Sequence, residues 1–137
     1  MGECLDFFKK FTESGKTVIH FTISSDMSST YANACLAAEE LENVYVINTE
    51  NLSTGGGLLT VAAAQMRDDG LAAEEIVEKT KALVPCVDAS FVIDSLEYLY
   101  KGGRCSALAM FGANLLRLKP CIQVKNGKMD VAKKYRG

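Results

Sequence analysis

The chain opens with alternating helix-like and strand-like patterns of apolar residues. Apolar positions 4, 5, 7, 8 and 11 form a helical stripe over residues 3–14, and the β-branched and aromatic run TVIHFTIS follows at residues 17–24. A second helix, capped by Ser28 or Ser29, is predicted to end near residue 41. VYVIN at residues 44–48 then predicts a second buried strand.

The alternation continues through the next forty residues. ENLSTGGGLLTVAAAQM predicts a polar loop with three glycines and then an apolar helix that ends near residue 70. Residues 72–83 predict another helix, with acidic residues early and lysines late, and residues 89–95 predict a third strand. This order favours an α/β fold with a Rossmann-like parallel sheet and flanking helices.

The pattern changes after residue 101. Gly102-Gly103 interrupts the chain, and SALAMFGANLL at residues 106–116 predicts a short apolar helix. Alternating residues on both sides of Asn126-Gly127 predict an antiparallel hairpin. We therefore expect residues 1–88 to form one partial Rossmann-like lobe and residues 89–137 to begin a second α/β lobe.

Composition and charge argue against several functional classes. The 137 residues are 48% hydrophobic and 23% charged, and the net charge of −2 gives no sign of nucleic-acid binding. No apolar run is long enough to span a membrane, and no export signal is visible. The five cysteines are widely spaced and suggest neither a disulfide framework nor a metal site, so a cytoplasmic location is expected.

Two polar segments follow the two predicted parallel strands. The serine loop (residues 24–30, SSDMSST) follows the first, and the glycine segment (residues 51–57, NLSTGGG) follows the second. Loops at these strand ends lead into helix N-termini, where amide groups and the helix dipole favour anions. Ser, Thr and Gly are also common caps and turn residues, so each segment alone has a structural explanation. Together they favour a site for a carboxylate or phosphate.

No catalytic group is evident beside these loops. His20 lies inside a predicted strand and is expected to pack in the core or on a sheet face. Cys105 follows Arg104 but has no histidine to activate it. The glycine segment matches neither the Walker phosphate loop nor the dinucleotide fingerprint, so we expect a binding protein without a catalytic residue or a metal.

Five segments resemble the DegV family of proteins. SSDMSSTY is similar to its SSxLSGTY motif, LSTGGG to its second loop, and LEYLYKGGRCS to its LxYLxKGGRIS segment. LLRLKPCIQVKNGKM and KKYRG resemble the two segments that follow in the family. All five occur in family order across nearly the whole chain, which makes the resemblance specific.

The resemblance implies a bacterial carrier that presents a bound long-chain fatty acid to a separate fatty acid kinase and needs no cofactor. It implies that Ser28 binds the carboxylate, with help from the neighbouring Ser25 and Ser29. The second loop would contribute Ser53, Gly55 and Gly56. The kinase or the phosphate would be contacted by Arg104 and Arg136, and the helix at residues 106–116 would line a tunnel for the acyl chain.

Two departures from the family pattern bear on these expectations. Ser29 stands where the family motif has glycine, which restricts how closely the backbone approaches a ligand. Full-length members are about twice as long, and their additional threonine and histidine ligands lie outside the segment matched here. An internal or truncated region is therefore expected.

Two alternatives remain open. A sugar phosphate or another small anion could occupy the same loops in an enzyme or a sensor, because strand, hydroxyl-rich loop and helix is also a phosphate-binding arrangement. A shortened chain could instead bind no ligand and form a homodimer that covers an open sheet edge.

Overall fold

The computed structural model describes residues 2–94, 97–104 and 118–136. In chain order, the elements in these ranges are α1 (Gly2–Thr12), β1 (Val18–Thr22), α2 (Thr30–Ala38), β2 (Val44–Asn48), α3 (Ser53–Asp68), α4 (Ala73–Leu83), a 3-10 turn (Val84–Cys86), β3 (Ala89–Val92), α5 (Glu97–Lys101), β4 (Leu118–Lys125) and β5 (Lys128–Arg136). The apolar helix predicted at residues 106–116 lies outside the described residues.

The first sheet pairs β1 with β2 in parallel, as predicted. Its register runs from Val18 opposite Val44 to Thr22 opposite Asn48. Parallel strands need a crossover connection, and α2 provides it. Both strands therefore end at the same edge of the sheet. The serine loop lies beside the polar residues that follow β2.

Helices cover both faces of this first sheet. Phe8 of α1 packs with Ala34 and Ala37 of α2 in a core that also includes Val18 and Val46. On the opposite side, α3 contacts β1, α4 contacts β2, and these two helices contact each other. Because side chains alternate between the faces of a strand, the apolar runs at β1 and β2 supply residues to both layers.

The second sheet is antiparallel, with the order β3-β4-β5. The turn between β4 and β5 has φ of 50° at Asn126 and 76° at Gly127, as a two-residue type I′ turn requires. Lys125 pairs with Lys128 at the start of this hairpin. The Asn-Gly prediction is thus confirmed, and a register shift between Cys121 and Ile122 bends the ladder farther along.

One apolar cluster joins the serine loop to the second sheet. Met27, from the middle of the serine loop, is buried together with Ile122, Val124 and Met129 of the hairpin. Full burial of such a side chain is worth roughly 2 kcal/mol. The loop after β1 is therefore packed against the second sheet, which leaves its neighbouring polar residues at the junction.

Three local features differ from the sequence-based expectations. The three glycines lie inside α3, because the helix begins at Ser53 and not after Gly57. The short helix α5 begins at Glu97, in a stretch for which the sequence pattern predicted no element. The third strand ends at Val92, three residues before its predicted end. Within the described ranges, none of the helices reaches the length and apolar content of a bilayer-spanning segment.

Candidate anion-binding site

The serine loop divides its hydroxyl groups between the interior and the surface. Ser24 is completely buried, Ser28 is half-buried, and Ser25 and Ser29 are exposed. The loop also makes a tight turn, since the N–H groups of Met27 and Ser28 both donate to the carbonyl of Ser24, at 3.0 and 3.1 Å. The hydroxyls of Ser25, Ser28 and Ser29 are therefore the ones that another molecule can reach, and the Ser24 hydroxyl is not.

Asn48, the last residue of β2, holds Ser25 in place. Its Oδ1 accepts hydrogen bonds from the backbone N–H groups of Ser25 (3.2 Å) and Glu50 (3.1 Å), and its Nδ2 donates to Ser25 Oγ at 2.9 Å. Because Ser25 Oγ accepts in this bond, its own hydrogen remains available for another acceptor. Asn48 was not predicted as a site residue, although an asparagine at the end of a buried strand was a usable signal.

Ser28 lies at the N-terminus of α2. Its Oγ accepts from the N–H of Thr30 at 3.2 Å and lies 2.6 Å from Thr30 Oγ1, where either oxygen can donate. Of the two predicted caps, Ser28 is thus the one whose side chain bonds to the helix start. When Thr30 donates, the Ser28 hydrogen points elsewhere, and the first turn of α2 adds orphan N–H groups and no acidic residue.

The glycine segment is organised by Asn51, a buried residue that the sequence analysis did not single out. Its Oδ1 accepts from the N–H of Leu52 at 3.0 Å, and its Nδ2 donates to the carbonyl of Val87 at 3.3 Å. A Cβ placed on Gly55 would lie 2.1 Å from Asn51 Oδ1. Gly55 is therefore required by a contact within the chain.

The other predicted residues of the glycine segment differ in their surroundings. Ser53 is exposed and has a φ of 47°, in the left-handed region that few non-glycine residues adopt. A Cβ on Gly56 would make only ordinary contact with Thr49, at 3.5 Å from its Oγ1. Thr49 in turn donates from Oγ1 to the carbonyl of Thr22 at 2.8 Å, which ties the two strand ends together.

Arg104 is brought next to the serine loop, 77 residues away in sequence. Its Nε donates to the carbonyl of Met27 at 3.4 Å, and its Nη1 donates to the carbonyl of Gly102. The Arg104 guanidinium group thus contacts the residue that directly precedes Ser28. The backbone of Arg136 pairs with Leu118 at the end of β5, and its side chain lies outside the described part of the chain.

A cavity of about 370 Å³ lies between β1, α3 and α4. Its walls include Ile19 and Phe21 of β1 and Ala63, Leu71 and Ile76 from the helical side. None of the predicted site residues lines it. This mainly apolar space is therefore separate from the serine loop, and the residues predicted to line a tunnel, 106–116, lie outside the described ranges.

His20 and Asp94, two titratable residues outside the serine loop, have structural partners. His20 packs on the sheet face, with its ring centroid 5.1 Å from that of Phe8, and burial lowers the pKa of His20. Asp94 accepts a hydrogen bond from Lys119 at 2.6 Å, which lowers the pKa of that carboxyl group. Among the described residues, no group of three or more His, Cys, Asp or Glu side chains is placed to hold a metal ion.

The structure is that of an α/β protein with a hydroxyl-rich loop and polar residues at the ends of two parallel strands. The model of the family described as "Uncharacterised protein, DegV family" matches residues 1–137. The chain therefore belongs to the DegV family.

Individual relatives agree with this assignment. A DegV domain-containing protein of Clostridium acetobutylicum is 37% identical over 134 residues, which cover 96% of this chain and 48% of that protein. A crystal structure described as a DegV lipid-binding protein of Thermotoga maritima superposes with a TM-score of 0.88 at 31% identity, covering 99% of this chain and 48% of its own. The chain thus spans about half the length of the relatives that it matches.

A second solved structure names a ligand. It is described as a stearic-acid-binding protein of Eubacterium ventriosum, with a TM-score of 0.87 and 31% identity, and the match covers 98% of this chain and 48% of that protein. The mixed α/β fold of the present chain is therefore the fold of the corresponding half of these relatives.

Proposed function

We propose that the chain holds the carboxylate of a long-chain fatty acid at the serine loop, as a carrier that catalyses no reaction. The observation that carries the proposal is the bond in which Ser25 Oγ accepts from Asn48, beside the half-buried Ser28. This arrangement leaves serine hydrogens free to donate to an acceptor. The names of the lipid-binding relatives support a fatty acid as that acceptor.

The chemistry of the loop suits a carboxylate. An ionised carboxylate only accepts hydrogen bonds, and Ser25, Ser28 and the first turn of α2 supply donors. Arg104 adds a positive charge next to the carbonyl of Met27. The donors from serine are neutral, so they can orient one carboxylate oxygen while the other stays accessible for transfer chemistry on a partner enzyme.

We propose that Ser29 and the glycine segment complete the site. Ser29 is exposed at the start of α2, and its backbone contributes to the orphan amide groups. Glu50 and Ser53 have φ of 49° and 47°, and such left-handed conformations cluster at ligand sites. In this proposal Ser53 and Gly56 face the headgroup, whereas Gly55 acts by making room for Asn51.

The acyl chain would leave the serine loop toward the second sheet. Met27 is adjacent to Ser28 in sequence and belongs to the buried cluster with Ile122 and Val124. Half-buried apolar residues at the edge of this cluster, Leu52 and Leu99 among them, offer a surface to a methylene chain. Each methylene buried there would contribute about 0.8 kcal/mol of binding free energy.

Calorimetric titration with stearate tests the proposal directly. We expect Ser28→Ala to raise the dissociation constant about tenfold, which corresponds to the loss of one hydrogen bond to a charged group. Ser90→Ala is the matched control, because Ser90 is an exposed serine on β3, and its affinity should equal that of the unmodified chain. An unchanged affinity in Ser28→Ala would contradict the assigned role.

Competition with inorganic phosphate distinguishes fatty-acid binding from the binding of a small anion. The same loops suit a sugar phosphate or another small anion, as in an enzyme or a sensor. Millimolar phosphate should leave stearate binding almost unchanged if the acyl chain supplies most of the affinity. Strong binding of phosphate with no binding of stearate would favour the small-anion function.

We further propose that the carrier presents its fatty acid to a fatty acid kinase, as the family resemblance implies. Arg136 would contact the kinase at the end of β5, whose exposed residues include Lys128 and Lys133. Arg136→Ala should slow acyl phosphate formation severalfold and leave the dissociation constant of stearate unchanged. Lys133→Ala is the control on the same strand. Equal losses of lipid binding and of kinase turnover in Arg136→Ala would contradict this division of roles.

The remaining proposals concern assembly and organisation. Among the described residues β1 hydrogen-bonds only to β2, and an open strand edge can pair with a second copy, so we propose a homodimer through β1. Analytical ultracentrifugation should give twice the mass of the chain, and a monomer at all concentrations would contradict it.

We also propose that the protein is cytoplasmic, because the described cysteines are free. Residues 1–88 and 89–137 are proposed to belong to two lobes, because the two sheets are separate.

A further inference from the structure

Ser24 differs from the other serines of the serine loop because its hydroxyl is used entirely within the protein. The side chain is fully buried, and Oγ donates to the carbonyl of Gly127 at 2.6 Å. The same oxygen accepts from the N–H of Asp26 at 3.2 Å. The first bond joins residues that are 103 positions apart and connects the loop to the hairpin of the second sheet, and the second holds the loop's own backbone.

The contact between loop and hairpin is close on both sides. Gly127 is buried, and a Cβ placed on it would lie 2.7 Å from Ser24 Oγ and 3.0 Å from Asp26 Oδ2. The hairpin turn (Asn126-Gly127) therefore packs against the side chains of Ser24 and Asp26, with no space for a side chain at residue 127. Only glycine allows the carbonyl of residue 127 to come within reach of Ser24.

Ser24 also sets the conformation of the residues after it. Its carbonyl accepts from the N–H groups of Met27 and Ser28, and its own N–H donates to the carbonyl of Asn51 at 2.9 Å. The backbone and the side chain of this single residue are thus bonded to both strand ends and to the hairpin. Any movement of Ser24 would be transmitted through these bonds to Ser28.

We infer that Ser24 is a positioning residue, which fastens the serine loop to the hairpin turn so that Ser25 and Ser28 face the headgroup. The inference rests on the proposed function for its consequence, because the residues that Ser24 orients are those assigned to the carboxylate. Ser24 itself does not touch the ligand. The hairpin of the second sheet then determines the geometry of a site formed by the first.

Hydrogen exchange on the ligand-free chain tests the fastening separately from lipid binding. In Ser24→Ala, the amides of Asp26 to Ser28 should exchange at least tenfold faster, while those of α3 and α4 keep their rates. Ser24→Thr, which retains the hydroxyl, should restore most of the protection. Gly127→Ala should reproduce the change in the loop from the other side of the contact, and it serves as the second variant if Ser24→Ala fails to fold.

The outcomes divide clearly. Faster exchange confined to the loop and the hairpin turn supports the inference, as does a stearate dissociation constant raised about fivefold in Ser24→Ala and restored in Ser24→Thr. Unchanged loop exchange overturns it, and so does a uniform rise across the chain, which would mean a general structural role. If the unmodified chain binds no stearate, the proposed function fails, and the exchange experiment still decides whether Ser24 fastens the loop.

Discussion

The serine loop and the glycine segment occupy equivalent places after two parallel strands, yet their small polar residues serve different purposes. In the serine loop, Ser24 turns inward to a partner from a distant hairpin, and the serines after it remain at the surface. In the glycine segment, Gly55 provides space for the buried Asn51 side chain. Polar segments in equivalent places can therefore form an accessible hydroxyl surface in one case and an internal support in the other.

The largest effect that tests this comparison is expected at Gly55. A Cβ there would displace the Asn51 side chain, whose Oδ1 would lie 2.1 Å from it and which makes two partly buried hydrogen bonds. We expect Gly55→Ala to lower the free energy of unfolding by about 3 kcal/mol, measured by urea denaturation.

Gly57→Ala is the control from the same helix. No atom lies within 4 Å of the Cβ that it would add, so the higher helix propensity of alanine should raise the free energy of unfolding by about 0.5–1 kcal/mol. Equal effects of the two substitutions would show that Gly55 makes no special room for Asn51.

An intermediate effect is expected at Gly127, on the other side of the comparison. Gly127 and Gly15 have nearly identical φ, 76° and 75°, so alanine is strained by a similar amount at both. Only Gly127 contacts Ser24 and Asp26, whereas nothing lies within 4 Å at Gly15. Gly127→Ala should therefore cost about 1–2 kcal/mol more unfolding free energy than Gly15→Ala. Equal losses of unfolding free energy in the two variants would show that the contact between hairpin and loop adds no stability.

The smallest effect concerns a second buried hydroxyl. Thr80 of α4 is as fully buried as Ser24, but among the described residues its Oγ1 has no hydrogen-bond partner. Thr80→Val keeps the shape and the β-branching and removes an unsatisfied polar atom, so we expect a gain of about 1 kcal/mol in unfolding free energy. A loss of stability would mean that the Thr80 hydroxyl has a hydrogen-bond partner. The contrast between a bonded hydroxyl at Ser24 and an unbonded one at Thr80 would then be wrong.

Local patterns predicted most of the described fold. VYVIN became β2 at the predicted residues, and Asn-Gly formed the expected turn, because both signals depend on neighbouring residues alone. The helical start at Ser53 was missed because three glycines outweighed the apolar periodicity that follows them.

The candidate site was only partly predictable, since its supports are distant in sequence. The serine loop was predicted from its place after a strand, and the roles of Ser25 and Ser28 stay predictions that the family resemblance implies. Asn48 and Asn51 act through contacts that their own neighbours do not reveal. The bond between Ser24 and Gly127 spans 103 residues and depends on how the two sheets meet. No local pattern encodes that arrangement.

Amide NMR shifts during a titration with stearate test the central claim most directly. If the serine loop holds the carboxylate, the largest shifts should fall on Ser25, Ser28 and Ser29, with the Arg104 side chain affected as well. Methyl stearate, which lacks the charge, should produce much smaller shifts at these positions. Shifts confined to the cavity beside Ile19, or no shifts at all, would contradict the account.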